Sequence, residues 1–226
     1  MVGKRDTLGD LAGDARALAG GPFGVLDHGT HVTLYRHGID GSVAAHRIDH
    51  AANLRTLAQL GCDRVLALGS VGSLHRNLGV GSFVAPDDFI ALDQRPVSIA
   101  DDDGQHVVPG FNPTWRARVL DTWRGVDAEP IVDGGVYWQV NGPRFETPAE
   151  IRLLAGFADL VGMTLASECV AANQLDLDYA AVCIVDNLAN GVGDAPLTPT
   201  EYEQGAAANA TRLARVLTAI VPQLAA

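Results

Sequence analysis

The stretch GGVYWQVNGPRFE, Gly134–Glu146, decides how the chain is read. A β-type run (Val136, Tyr137, Trp138, Gln139, Val140) stops at Gly142-Pro143 and delivers Arg144, Phe145 and Glu146 ahead of a helix start, Thr147-Pro148 followed by Glu150. A strand ending in a Gly-Pro turn presents polar and aromatic side chains at the carboxyl edge of an α/β sheet, where ligands bind. An aromatic ring beside a carboxylate suits a flat heterocycle that offers N–H donors. The same residues also fit a core Phe145 and a Glu146 that merely complements a helix start.

Outward from this stretch, strands alternate with helices. Residues 1–21 are Gly/Ala/Asp-rich and read as a short helix or a mobile arm. A strand over His31–Tyr35 ends at Arg36-His37-Gly38, a loop covers Ile39–Ala45, and a helix over Asp49–Leu60 is stopped by Gly61. Arg64–Leu68 reads as a buried parallel strand opening into a Gly/Ser-rich segment, Gly69–Leu74, compatible with an anion-binding nest or a plain turn. Further strands are expected at 82–85, 89–92, 129–132, 135–141 and 161–164, and Asp101–Gly104 reads as a solvated loop. Helices are expected at 113–123, 147–156 and 167–175, and from Thr200 to about Pro222. Tyr179–Val185 is a buried strand ending in Asp186-Asn187. The pattern predicts one α/β domain with a central mixed, mostly parallel sheet flanked by helices. Polar residues cluster after several strand ends, which would share one pocket if those ends share one sheet edge.

The 226 residues carry 16 Lys+Arg against 27 Asp+Glu, a net charge of −11 that argues against nucleic acid or anionic membranes as partners. No apolar run reaches the length of a membrane span, and the start has no signal-peptide h-region. Cys62, Cys169 and Cys183 form no C-x-x-C pattern, so neither a metal site nor a redox motif is expected, and buried thiols in a reducing cytoplasm are.

HRIDHAANLRTLAQLGCDRVLALGSVGSL (46–74), GVYWQVNGPRFETPAEIRLL (135–154), LVGMT (160–164) with Glu168 close behind, and DNLANG (186–191) together resemble the trimeric purine nucleoside phosphorylase and methylthioadenosine phosphorylase family, over roughly residues 22–220. Within it, the chain looks closer to the short bacterial methylthioinosine-type enzymes than to the mammalian forms. The resemblance implies cleavage of an N-glycosidic bond through an oxocarbenium-like ribosyl cation, with phosphate as co-substrate and no cofactor. It implies that Glu146 accepts hydrogen bonds from the base edge and that Asn187 stabilises the leaving base at N7 and O6. Phe145 would stack on the base or ribose, Met163 would support the ribose, and Arg36, His37, Ser70 and Thr164 would face the anion. A neutral amide at 187 favours a 6-oxopurine, because family members that take 6-aminopurines carry an aspartate there. A homotrimer is implied as well.

Several positions depart from the family. Asp186 replaces a usual Thr or Val, and reads either as a pocket residue or as a structural cap. Pro199 stands where the nucleoside enzymes place a His for the 5′-hydroxyl, which fits a 5′-deoxy-5′-thio sugar, and Gly41 replaces a family His. Residues 1–21 read as an arm without the family's first strand and phosphate loop, leaving 22–226 as the phosphorylase-like domain. Hydrolysis by water, a non-purine or 5′-modified substrate of specialised metabolism, and a non-catalytic nucleoside-binding paralogue are the competing functions.

Overall fold

Two long strands carry the fold of this computed structural model, which describes residues 1–3, 16–18, 24–92, 99, 106–126, 129–194 and 197–226, with backbone alone at 16–18, 199, 201 and 202. β5 (Arg64–Ser73) and β11 (Asp178–Leu188) run parallel along their full length, from the pair Asp178–Arg64 to Leu188–Ser73, with one irregularity between Val185 and Asn187. Both are apolar on both faces, as strands covered by helices on either side must be.

The other edge of β5 is shared. β1 (Val2–Gly3) pairs parallel with it at Ala67 and with β4 (Val32–Tyr35), whereas β10 (Leu160–Gly162) pairs antiparallel with it only at Gly72 and Ser73. Between Ala67 and Gly72 that edge pairs with no strand among the described residues, so the sheet forks there. One arm continues antiparallel from β4 through β3 (Gly24–Asp27) to β2 (Arg16–Leu18). The other continues from β10 to the parallel strands β9 (Val136–Gln139) and β7 (Asp88–Ile90). Beyond β11 lie β6 (Phe83–Ala85) and β8 (Ile131–Asp133).

Alternate residues of β5 feed two cores. Val65 and Ala67 pack with Leu54 and Leu57 of helix α1 (His50–Gln59) and Leu165 and Cys169 of α4 (Leu165–Asn173). Leu66 and Leu68 pack with Trp115 and Trp123 of α2 (Pro113–Gly125) and Leu213, Leu217 and Ile220 of α5 (Pro199–Ala225). Side-chain caps set the helix starts: Asp49 accepts from the Ala52 amide, and Asn112 from that of Trp115. At α3 (Pro148–Leu154) a full capping box links Thr147 and Glu150. None of the helices among the described residues is long and apolar enough to cross a membrane.

Two expectations are corrected. Residues 2–3 and 16–18 are strands rather than helix or arm, and β1 sits in the middle of the sheet. The rest of residues 4–23 and the Asp101–Gly104 loop lie outside the described residues. Gly69–Ser73 is a continuation of β5, not a loop, because Cys183–Leu188 supplies it with ladder partners to its end.

Candidate active site

A cavity of about 320 Å³ opens at the fork, with Leu68, Ser70, Val71 and Gly72 of the unpaired β5 edge among its walls. It also touches Arg36, His37, Phe145, Glu146, Met163, Thr164 and Asn187. Seven of these eleven residues come from elsewhere than β5: Arg36 and His37 after β4, Phe145 and Glu146 before α3, Met163 and Thr164 at the β10–α4 junction, and Asn187 on β11. A larger hollow of about 410 Å³, lined by His31, Cys62, Arg64, Trp115 and Leu224, contains none of the predicted site residues. The chemistry points to the smaller one.

Glu146, Phe145 and Asn187 are the lining groups suited to a heterocycle. Glu146 is 9% exposed, and its carboxylate has no side-chain hydrogen-bond partner among the described residues. Burial raises its pKa above the ordinary carboxylate value, Glu150 adds to the rise, and its own amide and Arg144 oppose it. A buried carboxylate left open to a cavity is costly unless a ligand donates to it. Its position is fixed by the turn before α3. Arg144 grips Glu150 through two hydrogen bonds of 2.8 and 2.7 Å, Glu150 accepts from the Thr147 amide, and Asn190 donates to the Glu146 carbonyl at 3.2 Å. The Arg144 hydrogen bond, helped by the Thr147 amide, holds Glu150 at a pKa of about 2. Phe145 remains 37% exposed at the rim, so it is not a core residue. Asn187 follows the strand irregularity, and its amide donates to the Leu188 carbonyl at 3.0 Å. It fits there because residue 72 is glycine: a Cβ at Gly72 would stand 3.2 Å from Asn187 Nδ2 and 3.1 Å from Val161.

Asp186, the neighbour of Asn187, takes the structural place. It is 3% exposed, does not line the cavity, and accepts from Ser70 Oγ in a short hydrogen bond and from Asn209 Nδ2 at 2.8 Å. Its assignment to substrate is therefore corrected: it ties α5 to β5 from behind the site. Pro199 begins α5, but its side chain lies outside the described residues. The apolar Leu197 lines the cavity nearby in sequence.

The same cavity is lined by the groups expected to meet an anion. Thr164 is the N-cap of α4, yet its hydroxyl makes no capping bond and borders the cavity, while its amide donates to the Tyr137 hydroxyl at 3.1 Å. His37 donates from Nδ1 to the Val43 carbonyl at 2.8 Å. Met163 packs against Gly142, where a Cβ would collide with its sulfur; Gly142-Pro143 is cis.

Arg36 lines the cavity but is far from a free fork. It is 2% exposed and donates to both oxygens of Glu168, at 2.5 and 2.9 Å, to the Leu68 carbonyl at 2.7 Å and to the Val2 carbonyl at 3.4 Å. Leu68 lies on the unpaired edge of β5, so Arg36 satisfies a carbonyl the ladder leaves open. Glu168 is fully buried and also accepts from the Tyr179 hydroxyl at 2.9 Å. Burial opposes the charge on both partners, but the ion pair outweighs it, raising the Arg36 pKa and lowering that of Glu168. His50 Nδ1 lies 3.8 Å from Glu168 without a hydrogen bond, and burial lowers its pKa to about 4, so it stays neutral. In the sequence, Glu168 stood only among the residues that carry the resemblance and near a helix start, with no role given to it. The signal available was an acid set among small apolar residues, LASECVAAN. Among the described residues no cluster of side chains could hold a metal ion.

A family model described as the Phosphorylase superfamily matches residues 19–222. A protein of Archaeoglobus fulgidus described as a 6-oxopurine nucleoside phosphorylase is 39% identical over 184 residues, covering 81% of this chain and 75% of the relative. One of Methanothermobacter thermautotrophicus, described as an S-methyl-5′-thioinosine phosphorylase, is 36% identical over 177 residues, 77% of this chain and 62% of the relative. Among solved structures, a methylthioadenosine phosphorylase of Schistosoma mansoni in complex with adenine superposes with a TM-score of 0.83 at 21% identity, over 99% of this chain and 90% of that one. That likeness shows the fold. With the model match spanning nearly the whole chain, the protein belongs to the phosphorylase superfamily.

Proposed function

We propose that the protein is a pentosyltransferase that cleaves a 6-oxopurine nucleoside by phosphorolysis, releasing the base and a sugar 1-phosphate. The observation that carries this reading is the polarity of one cavity. A buried carboxylate that no other side chain bonds (Glu146), an amide (Asn187) and an aromatic ring line it together with a guanidinium and hydroxyls. Glu146 accepts from the base N–H edge. Asn187 donates to the base as the C–N bond breaks and its electrons enter the ring, which is stabilisation of charge where it develops. Arg36, His37, Ser70 and Thr164 surround the phosphate whose oxygen attacks the sugar carbon. An apolar 5′ substituent such as methylthio is supported by Leu197 in the wall and by the names of several relatives.

The test is base release from a panel of nucleosides with and without phosphate. Inosine-type substrates are expected to outpace adenosine-type ones, and Asn187→Asp to reverse the order by about 1–3 kcal/mol, the scale of one polar contact to a substrate. Equal rates on both bases before and after the change would remove Asn187 from base recognition.

Hydrolysis is the second reading, favoured by one observation: Arg36 and Ser70 already spend hydrogen bonds on carboxylates. Free ribose formed in phosphate-free buffer would establish it. We further propose a homotrimer, on the resemblance, and a reducing cytoplasm, on the three free cysteines. Light scattering at micromolar concentration is expected to give three times the 23.7 kDa chain mass, and a monomer would refute the trimer.

A further inference from the structure

Both donors best placed for an anion are already held by a carboxylate of the protein itself. Arg36 spends four of its five N–H groups internally, two of them on Glu168. Ser70 Oγ donates to Asp186. Of the two carboxylates, Glu168 matters more, because it is wholly buried, neutralises the guanidinium in a bidentate pair and does not line the cavity. Removing one partner of such a pair leaves an uncompensated buried charge, and anything that supplies the missing charge then binds more tightly.

We propose that Glu168 sets the phosphate affinity of the site as an internal competitor for Arg36. It never touches substrate. It acts through the guanidinium, holding it folded onto the β5 edge and lending it a negative charge that an arriving anion must displace or share. Tyr179 moderates the competition: its hydroxyl draws on the same Glu168 oxygen that accepts from Arg36 Nη2. A Glu168 relieved of that donor has only Arg36 left as a strong partner and holds it harder. The inference rests on the phosphorolytic reading for its meaning in catalysis, but anion occupancy of Arg36 can be read without turnover.

The experiment uses the full chain and inorganic phosphate. For Glu168→Gln, the phosphate concentration giving half-maximal base release is expected to fall about tenfold, the scale of one charge-assisted hydrogen bond returned to the anion. The KM for nucleoside is expected to stay unchanged. In thermal unfolding, phosphate is expected to raise the Tm of Glu168→Gln by more than it raises that of the unmodified protein. Tyr179→Phe is expected to shift half-saturation the opposite way, upward by about two- to threefold.

Opposite signs separate the proposal from simple damage, which would move both variants together. Unchanged or higher half-saturation in Glu168→Gln, or a shift of the same sign in both variants, overturns it. If Glu168→Gln folds only with phosphate present, the proposal is supported. If it does not fold at all, the direction of the Tyr179→Phe shift decides. Base release independent of phosphate in the unmodified protein would sink the phosphorolytic reading, while the phosphate dependence of Tm in the two variants would still decide this one.

Discussion

Glu146→Ala is expected to lower kcat/KM by about a hundredfold to a thousandfold, the loss typical when one preorganised charged contact at a reacting group is removed. The side chain has no other duty in the structure: its carboxylate bonds no other side chain among the described residues, and the turn that aims it is held by Arg144, Thr147 and Glu150. The alanine variant should therefore fold normally and fail at the base. Glu146→Gln keeps the shape but loses the charge, and should fall in between. The pH dependence follows from burial, which raises the folded pKa of Glu146. Below that pKa the group is protonated and loses the negative charge that strengthens its acceptance from a base N–H, so kcat/KM should rise with pH through a limb lying above the ordinary glutamate range. Folding stability has the opposite sign. The protonated form is favoured in the fold, so the contribution of this group is present at low pH and lost as pH rises through the folded pKa. Both dependences should vanish in Glu146→Gln. A limb that persists unchanged would assign the titration to another group.

Gly205→Ala should have the largest effect on stability. Gly205 lies in α5 against β11, where an added Cβ would fall well inside the van der Waals radius of the Asp186 carbonyl oxygen and 2.9 Å from its carbon. The obstacle is backbone, which cannot step aside as a flexible side chain can. A net loss of about 2–3 kcal/mol is expected from the overpacking, even though alanine in a helix interior ordinarily gains up to about 1 kcal/mol over glycine. For a chain of this size that corresponds to roughly 5–10 °C in Tm, readable by circular dichroism. A variant as stable as the parent would mean that α5 can lift off β11 freely.

The strands and helices with a clean period were legible in the sequence: β11 from its unbroken apolar run, α2 from its Trp/Val/Leu spacing, and α3 from Thr147-Pro148 with Glu150. The first strand was not, because two residues held between β4 and β5 have no periodicity to read. β3 is only four residues long and was missed for the same reason. The Gly/Ser content of residues 69–73 suggested a loop, but pairing with β11 overrode local propensity. Among the site residues, Glu146, Asn187, Phe145, Met163, Thr164, His37, Arg36 and Ser70 do meet in one cavity. Chemistry that depends on a partner distant in sequence could not be read. Arg36 looked like a free anion fork because Glu168, 132 residues away, gives no local sign of reaching it. Asp186 was ambiguous until Asn209 and Ser70 appeared on either side of it.

The fork in the sheet bears on how such an enzyme can change its diet. Part of the cavity wall is the open edge of β5, whose Leu68 carbonyl anchors Arg36 whatever side chain residue 68 carries. A main-chain anchor survives sequence drift, whereas wall positions such as Val43, Leu197 and Asn187 offer only their side chains. Selection for new bases or new sugar substituents in the laboratory should therefore collect changes at those wall positions and leave the slot between β1 and β10 untouched.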